Sequence, residues 1–143
     1  VPEGATRSAV VAVDTDNELL QLKFGDNTAS ATTYLAQLFA GLNVVYERDL
    51  DLTLLQGTTI LRTSATPDPY PSPIGADTAV QLTEFGTFWQ NNQSAVSRAF
   101  AMLLSGKSDN NFSSAGIAWV LNGSNYCTAR NANGGHYSVT QVF

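Results

Sequence analysis

The chain has 143 residues, 43% of them hydrophobic, enough to enclose the core of one domain. Only 13% are charged and the net charge is −5 with no basic run, which argues against disorder and gives a nucleic-acid role no electrostatic support. No apolar stretch approaches the roughly 20 residues that a membrane helix needs.

Residues 8–13, SAVVAV, are β-branched and too short for a helix, so they read as a buried first strand. Asn27 or Thr28 can cap a first helix, whose apolar face is Leu35, Leu38, Phe39, Leu42, Val45 and Tyr46. Gly41 inside it costs about 1 kcal/mol relative to alanine, which predicts a packing reason for it. Leu50, Leu52 and Leu54 alternate with Asp49, Asp51 and Thr53, a second strand continuing to Thr63 after a break at Gly57. Pro67, Pro69, Pro71 and Pro73 force an irregular loop. A second helix starts near Thr78, with Leu82, Phe85 and Trp89 on one side. Residues 98–104 and 115–121 read as the third and fourth strands, residues 122–135 as a long polar loop, and YSVTQVF, residues 137–143, as the closing strand. The fold class is α/β: a mixed, mostly parallel five-stranded twisted sheet with two main helices, in one domain spanning residues 1–143.

Several short motifs suggest chemistry and fail on it. AVDTDN puts Asp14 and Asp16 after a hydrophobic strand, the opening of a phosphatase pattern with Asp14 as nucleophile and Asp16 as acid/base. That chemistry needs further carboxylates for magnesium, and after position 84 the only carboxylate is Asp109. The pair reads instead as a solvated turn, and as a calcium loop it lacks the turn glycine and the late glutamate. LLSGKS ends like a phosphate-binding loop, but Ala101 stands where the first glycine belongs and its amides belong to a strand. His136 is the only histidine, so neither a triad nor a metal cluster can be built on it; it reads as a solvent-facing or hydrogen-bonded loop residue. Cys127 is the only cysteine, either a plain buried thiol or one whose partner lies outside the chain. Asn111-Phe112-Ser113 and Asn122-Gly123-Ser124 are glycosylation sequons that matter only in a eukaryotic secretory route. The wealth of Ser, Thr, Asn and Gly favours a secreted protein, and VPEGATR reads as a trimmed start.

Four stretches in order carry a resemblance: VVYERDLDL, AFAMLLSGKS, SAGIAWV followed by Cys127, and HYSVTQVF. From about Ser8 to Phe143 the series resembles the front part of the reprolysin-like (adamalysin-like) branch of the metzincin zinc endopeptidases. The resemblance implies a zincin-like N-terminal subdomain cut before the helix that carries H-E-x-x-H-x-x-G-x-x-H. Zinc, its activated water and the glutamate base would then come from residues after Phe143, with no catalytic or metal-binding residue in this chain and no activity in it alone. It also implies that the fourth strand is a sheet edge over the cleft. Gly116, Ile117, Ala118 and Trp119 would there bind an extended peptide or protein substrate as an added strand. Cys127 would pair with a cysteine beyond the chain, and the remaining C-terminal part of the same enzyme would be a partner. The family often places a calcium-holding aspartate just before strand three; Arg98 and Ala99 stand there, so calcium is doubtful. Neither nucleic acid nor membrane is an expected partner. The other expectation is a non-catalytic peptide- or protein-binding α/β module on the same sheet.

Overall fold

The computed structural model describes residues 7–108, 115–119 and 136–143. In chain order they form β1 (Arg7–Thr15), α1 (Asn17–Phe24), α2 (Thr28–Leu50), β2 (Leu52–Ile60), α3 (Thr78–Asn92), β3 (Phe100–Ser105), β4 (Gly116–Ala118) and β5 (Tyr137–Gln141). The strands make one five-stranded sheet in the order β2-β1-β3-β5-β4. β1 is parallel to β2 and β3, β3 is parallel to β5, and β4 alone runs antiparallel, against β5. The α/β class and the mostly parallel sheet are those expected from the sequence.

Helices cover both faces, so the central strands are buried on two sides. Val11 and Val13 of β1 point into a core built with α1 and α2, around Leu19, Leu35 and Phe39. Ala12 points the other way, into a core built with α3 around Phe85, Trp89, Tyr137 and Val139. The closing strand ends at Gln141, two residues before the expected Phe143, and within it Tyr137 and Val139 are buried while Thr140 is exposed.

α1 was not expected. It is only eight residues long, too short for helical periodicity to show, and local chemistry defines it instead. The Asp16 side chain accepts from Leu19 N at 2.8 Å as N-cap, and Gly25 closes the helix in the left-handed conformation, φ 55°. Asn27 caps α2 as expected, accepting from Ser30 N at 3.0 Å. On the expected apolar face Leu35 and Phe39 are buried and Leu38, Leu42 and Tyr46 partly so, but Val45 is exposed. Gly41 has no packing reason: a Cβ built on it meets nothing within 4 Å.

β2 starts later than expected, because Asp51 adopts the left-handed conformation, φ 50°, to end α2, and it stops at Ile60 rather than Thr63. Gly57 marks an irregularity: Val11 pairs with Gln56 but Val13 with Thr59, so β2 carries an extra residue. A Cβ on Gly57 would lie 2.6 Å from Val10 Cγ1. β3 starts at Phe100, two residues after Arg98, which turns into the core instead. β4 ends at Ala118, and residues 120–121 of the expected strand lie outside the described residues. No helix among the described residues is long and apolar enough to cross a membrane.

Candidate functional site

In an open α/β sheet, ligands bind beyond the carboxyl ends of the strands, where successive crossovers leave toward opposite faces. Here that point lies between β1 and β3, and it is filled by the chain itself. Asp14 and Asp16, expected in a solvated turn, are both fully buried there. For Asp14 the reason is a complete set of partners. Asp14 Oδ1 accepts from Arg62 Nε at 2.8 Å and Thr15 N at 2.9 Å. Its Oδ2 accepts from Tyr70 Oη at 2.7 Å, Arg62 Nη2 at 2.9 Å and Trp89 Nε1 at 2.9 Å. A carboxylate so engaged has no free lone pair with which to attack phosphorus. Burial, then the Asp14 charge, pushes the Tyr70 phenol far above its ordinary range, so it stays a donor.

Asp16 caps α1 and also accepts from Gly106 N at 2.9 Å. Burial raises its pKa above the usual carboxylate value, opposed by hydrogen bonds from Ser105, Gly106 and Leu19 and by the charge of Lys107. LLSGKS therefore serves architecture. Gly106 leaves room for the first turn of α1, since a Cβ there would lie 2.4 Å from Leu19 N. Its N–H and that of Lys107, which donates to Ser105 Oγ at 3.2 Å, are occupied and cradle no phosphate. Lys107 is buried, donates to Tyr70 O, and lies 3.7 Å from Glu18 Oε2 and 3.9 Å from Asp68 Oδ2. Through Arg62, Tyr70 and Lys107 the proline-rich loop is fastened onto the strand ends.

The sheet has two edges, and they differ. On β2, Asp51 O accepts from Arg7 N, so odd-numbered residues face β1 and the backbone groups of Leu52, Leu54 and Gln56 point outward. Asn43 of α2 closes the middle of that edge: its Nδ2 donates to Leu54 O at 3.0 Å and its Oδ1 accepts from Leu54 N at 2.7 Å. The extra residue beside Gly57 disrupts the rest.

On β4 the pairs with β5 are Gly116–Thr140, Ile117–Val139 and Ala118–Ser138. Gln141 N donates to Ala115 O at 2.8 Å, which makes Gly116–Thr140 a non-hydrogen-bonded pair. The N–H and C=O groups of Gly116 and Ala118 therefore point away from β5, and no strand among the described residues pairs with them. Gly116 and Ala118 are exposed, Ile117 packs against the α3 core, and Trp119 is 37% exposed. The small side of Gly116 turns to its own sheet: a Cβ there would lie 3.1 Å from Val139 O.

Elsewhere, Arg98 is buried with its guanidinium 4.8 Å over the Trp89 ring. It donates to Tyr137 Oη at 3.1 Å and to Gln93 O and Val96 O at 2.9 Å. His136 Nδ1 lies 3.4 Å from Ala99 O. Cys127, both sequons and the polar loop lie outside the described residues. Among the described residues no group of three or more His, Cys, Asp or Glu side chains could hold a metal ion, so these residues do not fit a zinc site. Sequence reading missed Arg62, Tyr70 and Asn43, because long-range partners leave no local periodicity.

Compared with known proteins, the chain matches no family model and no curated protein.

Proposed function

We propose that the chain is the substrate-docking subdomain of a secreted zinc metalloendopeptidase, whose metal ligands would come from residues after Phe143. The reading rests on the resemblance carried by LLSGKS, GIAW and HYSVTQVF. The observation that carries the docking role is the outward-facing backbone of Gly116 and Ala118, with which no strand among the described residues pairs, on a sheet whose other edge is closed by Asn43. An extended peptide laid along β4 would form hydrogen bonds contributing about 0.5–1.5 kcal/mol each. Calcium has no part in the proposal, because the Arg98 guanidinium puts a fixed positive charge where the resemblance would place a cation ligand.

The second reading, a non-catalytic peptide-binding module, uses the same edge and needs no metal. One experiment separates them. The natural protein, with whatever residues follow Phe143, is assayed for zinc content and for chelator-sensitive hydrolysis of a denatured protein substrate. Stoichiometric zinc with chelator-sensitive cleavage supports the peptidase. Peptide binding at β4 without either leaves the binding module.

A further inference from the structure

We infer that Ile117 and Trp119 make the β4 edge select extended segments with apolar side chains at two positions spaced two residues apart, with the residue between them unselected. This rests on the reading of β4 as a docking edge. An added strand bonds to the backbone of Gly116 and Ala118, because only those residues turn their N–H and C=O outward. Side chains of paired strands share a face residue by residue. Ile117 lies on the α3 face, against the core that holds Phe85 and Val139; strand alternation carried one residue past the end of β4 at Ala118 brings Trp119 to that face.

The peptide residues opposite Ile117 and Trp119 thus project over an apolar surface, part of it an indole that is 37% exposed. The residue between them projects to the other face, where Gly116 and Ala118 offer a hydrogen and a methyl. The occupant is an extended peptide rather than a second copy pairing through β2, because Asn43 already holds the outward groups of Leu54.

The test uses the 143-residue chain and capped seven-residue peptides in a serine/threonine background. One series carries two leucines spaced two residues apart, another two adjacent leucines, and a third none. Binding is followed by the amide resonances of Gly116 and Ala118 and by tryptophan fluorescence, to which Trp119 contributes the exposed indole while Trp89 is fully buried. The spaced-leucine peptide is expected to bind up to about fivefold tighter than the adjacent-leucine one, and Trp119→Ala to erase that difference while the Gly116 and Ala118 amides still shift. Amide shifts with equal affinity for all three series overturn the selectivity and leave the docking edge standing. No shift at Gly116 or Ala118 with any peptide overturns both.

Discussion

Asn43 stands beside Leu54 as the next strand of the sheet would: its side-chain amide donates to Leu54 O and accepts from Leu54 N. A helix residue thereby ends the sheet at β2. Replacing Asn43 by alanine removes both bonds and reopens an uncharged edge, LTLLQ, to other chains. The expected cost is about 1–3 kcal/mol in urea unfolding. Sedimentation velocity is expected to show more concentration-dependent self-association than the wild type shows. A variant that is destabilised yet remains monomeric at every concentration would show that Asn43 does not guard the edge.

Asp14 joins four parts of the chain through one carboxylate: β1, Arg62 after β2, Tyr70 of the proline-rich loop and Trp89 of α3. Asp14→Asn leaves the Arg62 guanidinium, itself almost wholly buried, without its counter-charge. Breaking such a pair from one side costs about 3–5 kcal/mol. Trp89→Phe removes one donor of the five and trims a fully buried indole to a phenyl, so about 1.5–3 kcal/mol is expected for the bond, with a smaller cavity cost beside it. Denaturant unfolding of the two variants orders them. If Asp14→Asn proves no worse than Trp89→Phe, the ion pair is not what holds this junction.

What could be read from the sequence follows from the range of the signal. The Leu82–Phe85–Trp89 face and the alternation at Tyr137 and Val139 are periodic patterns and were legible; SAVVAV was legible as a strand, but only Val11, Ala12 and Val13 of it are buried, while Ser8 and Val10 are exposed. α1 left only its caps, Asp16 and Gly25, in the sequence. AVDTDN was misread because an Asp-x-Asp after a strand looks solvated until Arg62, Tyr70 and Gly106 are brought to it from 48, 56 and 90 residues away. The β4 edge was named from GIAW. The outward turn of the Gly116 and Ala118 backbone depends on the β5 register, and the guard on the opposite edge depends on one asparagine with no motif around it.

Gly41 and Gly106 predict opposite outcomes for the same change. At Gly41 an added methyl meets nothing and the backbone is helical, so Gly41→Ala is expected to stabilise by about 0.5–1 kcal/mol. At Gly106 the methyl would lie 2.5 Å from Glu18 C and 2.6 Å from Leu19 Cα. These are backbone atoms of the first turn of α1, which cannot rotate aside. Gly106→Ala is therefore expected to cost about 1–3 kcal/mol or more. Thermal midpoints of the two variants should fall on either side of the wild type. A fall for both would mean that Gly41 is held by something other than open space.

The pH dependence around α1 has a definite sign. Burial raises the pKa of Asp16 above its ordinary 3.8, and burial likewise raises that of Glu18 above 4.5. A carboxyl that holds its proton more tightly when folded favours the folded state in acid. The contribution is complete below the ordinary value and is lost as pH rises through the raised one. The loss for Asp16 thus begins near pH 4 and is complete above its folded pKa. Asp16→Asn keeps an oxygen for Leu19 N and Gly106 N but carries no charge to desolvate. Relative to the wild type, the variant is expected to gain stability as pH rises above about 4 and to hold a constant difference once pH is above the folded pKa of Asp16. Urea midpoints of both proteins at each pH measure this, with Glu18, whose pKa the Asp16 charge helps to raise, as the neighbour that titrates lower in the variant. A difference that stays flat across the range, or that shrinks toward pH 7, would mean that the hydrogen bonds and Lys107 outweigh the burial of Asp16.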